Sequence, residues 1–305
     1  MVRRERCDRH GKQQPVVRLS GRQYPVIGRL EVRRRKYLLL DRLSTGSRER
    51  YLAFDPHAGL HGRPVAICLL PRSASSRQHI QVLQRLAKSN DSVPTILDFE
   101  VQSHTTVVVL QWVRGVTLDQ YLKDMQASRR PRISPVVAVQ RVRTLAHGLS
   151  RWHRQRQIVH GDIRPQNVIV SRDPGRFTLI DFGSAWCAER TAIRDIGDGI
   201  SSVYGAPELQ NGQEFVDFRC DQFSISVIFY ELIAFQVPYD GLGGKAGRPE
   251  FCKGTHFRLE PPSHLSPHRA AMPGSLWAGI DRVVMRGLAL DPDQRYPTPH
   301  EWLDD

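Results

Sequence analysis

The sequence predicts an α+β protein of two lobes, a small antiparallel β-sheet with one helix followed by a larger, mainly α-helical region. Residues 37–111 hold short runs rich in β-branched and aromatic residues, which are typical of strands. Residues 116–305 hold longer segments with apolar residues at helical spacing. Because strands and helices are segregated along the chain, we expect two lobes of different class.

The 305-residue chain is predicted to begin with a tail at 1–36 and to continue as one domain at 37–305, with a hinge at 112–115 between lobes 37–111 and 116–305. Glycines and prolines interrupt any sustained period in the tail, which predicts that it is disordered or loosely docked. The tail holds 12 Lys and Arg against 3 Asp and Glu, so it carries 12 − 3 = +9 of the net charge of +13. It can therefore bind an acidic partner or remain solvated. Nucleic acid is the less favoured partner, because no aromatic residues alternate with the basic ones.

The elements of the first lobe follow from period and turn residues. The predicted strands are 37–43, 49–55, 65–70, 96–100 and 105–111. A helix is predicted at 77–88, where Ile80, Leu83 and Leu86 recur at helical spacing.

The second lobe is predicted to be helical with two short apolar segments. The predicted helices are 118–125, 135–155, 223–235 and 276–290, and the short segments are 158–170 and 177–180. The apolar stretch at 223–235 is too short to span a bilayer, and Ser224, Ser226 and Glu231 interrupt it. We therefore predict a buried core helix there.

Five cysteines, at positions 7, 68, 187, 220 and 252, include no Cys-x-x-Cys pair. This spacing argues against a disulfide framework or a zinc site and favours a reducing compartment. The N-terminus lacks the apolar segment of a signal peptide. We therefore expect a cytoplasmic protein without a transmembrane segment.

The strongest chemical signal is a loop that holds Asp162, Arg164 and Asn167, followed fourteen residues after Asn167 by Asp181 in Asp-Phe-Gly. Phosphoryl transfer needs a carboxylate that orients the attacking hydroxyl, oxygen ligands for Mg²⁺ and positive charge on the transferred group. Asp162 can supply the carboxylate, Asn167 and Asp181 the metal ligands, and Arg164 the positive charge. These residues are the candidate catalytic and metal-binding set.

The loop His160-Gly161-Asp162-Ile163-Arg164-Pro165-Gln166-Asn167 resembles the catalytic loop of the eukaryotic-type, or Hanks-type, Ser/Thr protein kinases, which reads His-Arg-Asp-x-Lys-Pro-x-Asn. The resemblance covers residues 37–305 and implies a bilobal protein-kinase-like fold. Further matches follow in the family's order, namely Ala206-Pro207-Glu208, Asp221 as the anchor of the catalytic loop and Arg295 as the partner of Glu208.

The resemblance implies ATP and Mg²⁺ as cofactors and a protein hydroxyl as the phosphate acceptor. Ala66 and Ile169 correspond to residues that sandwich the purine, Leu110 to the gatekeeper, and Gln111 and Val113 to hinge positions that offer backbone groups. The implied nucleotide-binding residues are Gly46, Tyr51, Ala66, Cys68, Leu110, Gln111, Val113, Ile169 and Asp181.

The sequence departs from the family pattern at four places, namely Cys68, His79, the phosphate loop and Gly161. The lysine that holds the α- and β-phosphates is replaced by Cys68, and its glutamate partner falls at His79. The phosphate loop keeps a single glycine, Gly46, and Glu49 beside it would repel phosphate unless it turns away. Gly161 replaces the arginine that binds a phosphorylated activation segment in many members.

A substitute cation is one answer to the missing lysine. The with-no-lysine kinases also carry Cys at this strand position and use a lysine from the neighbouring strand, but that position corresponds to Ala53 in our alignment. Arg48 or Arg50 could instead lie over the phosphates, and a plain surface arginine is the alternative for each.

Three functions stay open from the sequence. An intact catalytic and metal loop favours a divergent Ser/Thr protein kinase. Cys68, His79 and the eroded glycine loop favour a pseudokinase that acts as a nucleotide-binding or scaffold module. A small-molecule phosphotransferase shares His160-Gly161-Asp162, but that class does not explain Glu208, Asp221 and Arg295.

Overall fold

The computed structural model describes residues 15–44, 49–71, 82, 93–156, 158–171, 176–182, 184–187, 203–212, 216–252 and 258–305. They fall into two compact units, one within residues 1–88 and 94–113 and the other within 89–93 and 114–305. The first unit is built of strands and the second mainly of helices, which confirms the predicted α+β fold. The second unit resumes at residue 114, inside the predicted hinge.

The first unit contains a six-stranded antiparallel sheet in the order β3-β4-β5-β6-β8-β7 and a separate hairpin, β1-β2. The five strands predicted from residue 37 onward are confirmed as β4 to β8. The predicted helix at 77–88 lies outside the described residues except for position 82. The strands are β1 Val16–Leu19, β2 Arg22–Pro25, β3 Gly28–Val32, β4 Arg35–Ser44, β5 Glu49–Asp55, β6 Arg63–Pro71, β7 Ile96–Val101 and β8 Thr105–Gln111.

Pairing across the sheet decides which side chains share a face. Tyr51 pairs with Ile67, and Ile67 pairs with Val109, so these three side chains lie on one face. That face carries the main apolar core of the unit. Full burial of such a side chain contributes roughly 1.5–3 kcal/mol each. The buried members of this cluster are Leu30, Val32, Tyr37, Tyr51, Ala53, Val65, Ile67, Val107 and Val109.

Residues 15–36 do not form the disordered tail that the sequence predicted. Val16–Leu19 pairs with Arg22–Pro25, and Gly28–Val32 forms the edge strand of the main sheet. Positive φ at Ser20 and Gly21 turns the first hairpin, so this glycine is a turn residue within ordered structure. The apolar residues of β3 are buried in the core. The predicted boundary at residue 37 is therefore wrong for residues 15–36, and residues 1–14 lie outside the described part of the chain.

The second unit is mainly helical, as predicted. The α-helices are α1 Leu118–Gln126, α2 Pro135–Arg156, α3 Pro207–Gln210, α4 Arg219–Ala234, α5 Pro249–Cys252, α6 Pro262–Leu265, α7 Gly274–Gly287 and α8 Pro299–Asp304. The 3₁₀ turns are Pro165–Asn167, Gly243–Gly247, Arg269–Ala271 and Pro292–Gln294. The short strands are β9 Gly115–Thr117, β10 Ile158–Val159, β11 Val168–Ser171, β12 Phe177–Leu179 and β13 Trp186–Cys187.

Helix α4 is the buried centre of the second unit. Every residue from Cys220 to Ala234 is buried, which confirms the predicted core helix. Helix α2 packs on it through a stripe that includes Val142, Leu145 and Leu149. Among the helices described here, none is both long and apolar enough to cross a membrane.

Candidate functional site

The loop that carries the candidate catalytic residues lies between strands β10 and β11. Residues 160–164 are irregular, and Pro165 opens a 3₁₀ turn that ends at Asn167. A proline at the first position suits this turn because its fixed φ is helical and its missing N–H is not needed there. His160, Asp162 and Asn167 are all buried. These polar side chains are therefore shielded from water, and each needs a hydrogen-bond partner within the protein.

Asp221, in the first turn of α4, holds the start of this loop. Its carboxylate accepts the backbone N–H of His160 at 2.8 Å and of Gly161 at 2.9 Å, and His153 Nε2–H donates to it at 3.0 Å. Burial is the largest single influence on this carboxyl and opposes its ionisation. The hydrogen bonds from His153 and from the backbone of His160, together with the electrostatic influence of both histidines, outweigh burial, so the pKa of Asp221 is lowered. The loop is thus tied through its backbone to the rigid core helix.

Asp162 and Asn167 are in direct contact. The Asn167 amide nitrogen donates to Asp162 Oδ2 at 2.8 Å and to the Asp162 carbonyl at 2.9 Å. Because both oxygens are acceptors, the amide nitrogen must face them, which leaves the amide oxygen of Asn167 on the other side. Arg164 Nε lies 3.5 Å from Asp162 Oδ2. The loop therefore presents a carboxylate, an amide oxygen and a guanidinium together.

Asp181 is joined to the same loop through its backbone neighbour. The N–H of Ile180 donates to the carbonyl of Asn167 at 2.8 Å. Asp181 has φ +66°, a left-handed conformation that non-glycine residues seldom adopt and that often marks functional sites. The next residue, Phe182, is buried with its ring 4.9 Å from that of His160. The structure thus brings Asp181 beside the loop that holds Asp162 and Asn167.

His160 is a structural member of this group. Its Nδ1 accepts the backbone N–H of Asp162 at 3.3 Å, so the proton of the neutral ring is on Nε2. Burial lowers the pKa of His160, and the nearby carboxylates of Asp221 and Asp181 counter this only in part. A neutral, buried imidazole therefore positions Asp162 through its backbone.

The donors of Asn167 and Asp181 fit Mg²⁺. An amide oxygen and a carboxylate are hard ligands, and Mg²⁺ is commonly held by one or two such protein groups together with substrate phosphates. Within the described ranges, no cluster of three or more His, Cys, Asp and Glu side chains could hold a metal ion. A magnesium ion held by Asn167 and Asp181 would take its further ligands from water and from the phosphates of a nucleotide.

Gly161 occupies a position that only glycine fits. It has φ +72°, and a Cβ atom at this position would overlap the ring of Trp186. Val159 pairs with Trp186 across the short β10–β13 ladder, which fixes the indole there. The space that an arginine side chain would need is therefore filled by Trp186, whose importance no sequence pattern had indicated.

Glu208 and Arg295 form a buried, two-pronged ion pair in the second unit. Arg295 Nη1 lies 2.7 Å from Glu208 Oε1, and Arg295 Nη2 lies 2.9 Å from Glu208 Oε2. The same guanidinium donates to the carbonyls of Ala289, Arg219 and Leu290. Its side chain is 0% exposed. The pairing that the resemblance implied for these two residues is present.

In the first unit, three of the predicted nucleotide-binding residues, Ala66, Cys68 and Leu110, share one sheet face. Ala66 pairs with Leu110 and is half-buried, while Leu110 is buried. Cys68, two residues from Ala66, is also half-buried and lies on the same face. Gln111 is exposed and Val113 half-buried at the end of the unit. In the second unit, Ile169 is half-buried on β11 and pairs with Thr117 and Thr178.

Tyr51 does not share this face. It pairs with Ile67, its side chain is in the main core, and its hydroxyl donates to Glu49 at 2.7 Å. The residue opposite Ala66 is Leu52. Tyr51 therefore lies on the opposite face from Ala66, with which the resemblance grouped it, because one residue along a strand moves a side chain to the other face.

The strand register also shows on which sheet face Arg50, one of the two candidate cations, lies. Arg50 lies directly opposite Cys68, so both side chains lie on the face that carries Ala66. Ala53 instead pairs with Val65 on the core face, so its assignment as the position of the neighbouring-strand lysine is wrong. Glu49 lies on the core face too, 3.1 Å from Arg42. Glu49 is thus turned away from the Ala66 face.

Three sequence-predicted positions, Gly46, Arg48 and His79, lie outside the described residues. The sequence reasoning missed Leu52, His153 and Trp186. His153 could have been found, because it follows Leu149 and Trp152 on the buried stripe of α2, where a histidine needs a polar partner.

Comparisons with known proteins agree with this geometry. Residues 68–301 match the family described as protein kinase domain. Ribosomal protein S6 kinase alpha-4 from Homo sapiens is 27% identical over 267 residues, which cover 80% of this chain and 32% of that protein. The serine/threonine-protein kinase PrkC of Bacillus subtilis is 26% identical over 246 residues, which cover 78% of this chain and 35% of that protein.

The fold resembles that of solved protein structures. One of them is the Cydia pomonella granulovirus kinase PK-1, with a TM-score of 0.69 at 20% identity, covering 88% of this chain and 92% of that chain. At this identity the likeness shows the fold alone. The chain spans about a third of the length of the two curated relatives.

Proposed function

Since the chain belongs to the protein kinase domain family, we propose that it is a divergent Ser/Thr protein kinase that transfers the γ-phosphate of ATP to a protein hydroxyl. The observation that carries this proposal is the contact between Asp162 and Asn167 in a loop tied to Asp221. Pseudokinases often lose the carboxylates of the catalytic and metal loops, whereas this chain retains both, Asp162 and Asp181.

Asp162 acts as the base in this proposal. It accepts the proton of the substrate hydroxyl as the hydroxyl oxygen bonds to the γ-phosphorus and the bond from that phosphorus to the ADP oxygen breaks. Arg164, next to Asp162, neutralises charge on the transferred group. Asn167 and Asp181 would hold Mg²⁺, which would supply positive charge against the triphosphate. The purine contacts are those implied by the resemblance, with Leu52 in place of Tyr51.

The first test is phosphate transfer and nucleotide binding by the whole chain. We expect labelled phosphate to pass from ATP·Mg²⁺ or ATP·Mn²⁺ to a generic basic protein, and ATP·Mg²⁺ at 100 times its Kd to stabilise the chain by about 2.7 kcal/mol. Asp181→Asn is expected to lose both, because it removes a charged metal ligand. If neither the wild type nor Asp181→Asn transfers phosphate, while ATP still stabilises the wild type, the result would support a pseudokinase instead.

The pseudokinase remains the second candidate because of Cys68. A thiol cannot replace the charge of the lysine that holds the α- and β-phosphates. We propose that Arg50 supplies this charge. Its position opposite Cys68 puts its Cβ roughly 4.5–5.5 Å from that of Cys68, on the face of Ala66. Glu49 lies on the other face, where Arg42 and Tyr51 contact it.

Arg50→Ala is expected to lower kcat/KM for ATP by roughly 10²–10³, the usual effect of removing one charge-stabilising group. Arg42→Ala is the matched control, because this arginine lies on the neighbouring strand opposite Tyr51, on the core face. Adding Cys68→Lys to Arg50→Ala should recover activity, since the lysine returns a cation to the same face. Equal steady-state kinetics of Arg50→Ala and the wild type would refute this role of Arg50.

A further inference from the structure

The N-terminal hairpin of β1 and β2 packs on the sheet face that carries Ala66. Leu52 pairs with Ala66, so the two side chains lie on this face. Leu52 is buried in a cluster with Leu40 and with Val26, the residue that follows β2. The apolar residues packed against this cluster are Val17, Leu19, Tyr24, Leu38, Phe54 and Trp112.

Val26 is fixed by hydrogen bonds on both sides. Its own N–H donates to the carbonyl of Pro15 at 2.8 Å, and the N–H of Ile27 donates to the carbonyl of Leu39 at 2.9 Å. The side chain of Val26 is 1% exposed. The hairpin is therefore anchored at its base, and Val26 cannot withdraw from Leu40 and Leu52 without breaking backbone hydrogen bonds.

The same cluster reaches the predicted hinge. Trp112, which packs against it, lies between Gln111 and Val113, the two residues proposed to offer backbone groups to adenine. The hairpin thus supports the proposed purine site at two points, at Leu52 beside Ala66 and at Trp112 in the hinge.

We propose that residues 15–27 are a positioning element of the purine site, in which Val26 fixes Leu52 and the hairpin fixes Trp112. This inference rests on the proposed function. These residues precede the span that matches the protein kinase domain family, residues 68–301. Packing that holds a purine-contact residue in place raises the affinity for ATP, because less side-chain freedom is lost when the nucleotide binds.

The test compares two buried valines on opposite faces of the sheet. Val26→Ala removes packing behind Leu52, whereas Val32→Ala removes packing from the core face, and both side chains are at most 1% exposed. We expect both variants to lower the Tm by similar amounts. Val26→Ala alone should raise the KM for ATP about three- to tenfold with kcat unchanged. Val26→Ile, which keeps a branched apolar side chain at this position, should have the same KM for ATP as the wild type.

The outcomes separate this inference from the proposed function. A wild-type chain that shows no stabilisation by ATP·Mg²⁺ would overturn both. Two results would overturn the positioning role alone, provided that the wild type binds ATP. In the first, Val26→Ala has the same KM as the wild type. In the second, Val32→Ala raises the KM as much as Val26→Ala does. Should Val26→Ala fail to fold, Val17→Ala in the half-buried first strand tests the same support, and an unchanged KM there would count against it.

Discussion

Replacing Asp162 with asparagine is expected to lower kcat by about 10²–10⁴ and to leave the affinity for ATP·Mg²⁺ unchanged. An asparagine of the same shape can still occupy the place where Asp162 contacts Asn167, but its amide cannot accept the proton of the attacking hydroxyl. The loop itself should stay in place, because Asp221 holds it through the backbone of His160 and Gly161. The loss should therefore fall on kcat alone.

The measurement is single-turnover phosphate transfer beside thermal stabilisation by ATP·Mg²⁺. Asp124→Asn is a suitable control, since this carboxylate is on α1 and pairs with Arg129 on the surface. A variant that loses transfer together with nucleotide binding would show that Asp162 supports the nucleotide, and equal kcat in Asp162→Asn and the wild type would show that it is not the base.

The catalytic loop could be predicted from the sequence because its geometry is local. Asp162 and Asn167 are five residues apart, and the proline turn between them leaves few ways to arrange their side chains, so the spacing already indicates the contact. Asp221 and Arg295 are remote in sequence and required a resemblance to be placed. Once placed, each is held by backbone hydrogen bonds that the fold creates and that no local pattern specifies.

The first lobe was less predictable because its faces depend on pairing. Whether Tyr51 or Leu52 accompanies Ala66 is decided by the register between β5 and β6, and an alignment that is wrong by one residue exchanges the faces. The register also puts Arg50 opposite Cys68, whereas Ala53 pairs with Val65. Strand β3 was missed for a related reason, since a five-residue strand bounded by glycine owes its stability to the partner that it pairs with.

Replacing Arg295 with methionine is expected to lower the free energy of unfolding by about 3–5 kcal/mol, because it leaves the Glu208 carboxylate buried without its charge partner. It also removes the donor to the carbonyls of Ala289, Arg219 and Leu290. Glu208→Gln should lower the free energy of unfolding by less, because Arg295 then keeps its hydrogen bonds to these three carbonyls and can still donate to the amide oxygen. The two halves of one ion pair are thus predicted to be unequal, with the arginine the more costly to remove.

Urea unfolding followed by tryptophan fluorescence measures this order. Arg282→Met is the matched control, because Arg282 also donates to a carboxylate, that of Asp305 at 2.6 Å, but its side chain is 61% exposed. An exposed pair of this kind contributes at most about 1 kcal/mol. The double variant Glu208→Leu with Arg295→Met should regain only part of the loss, because the three carbonyls stay without a donor. A Glu208→Gln variant as unstable as Arg295→Met would mean that the charge pair alone carries the stability, and a full recovery in the double variant would mean that the carbonyl contacts contribute nothing.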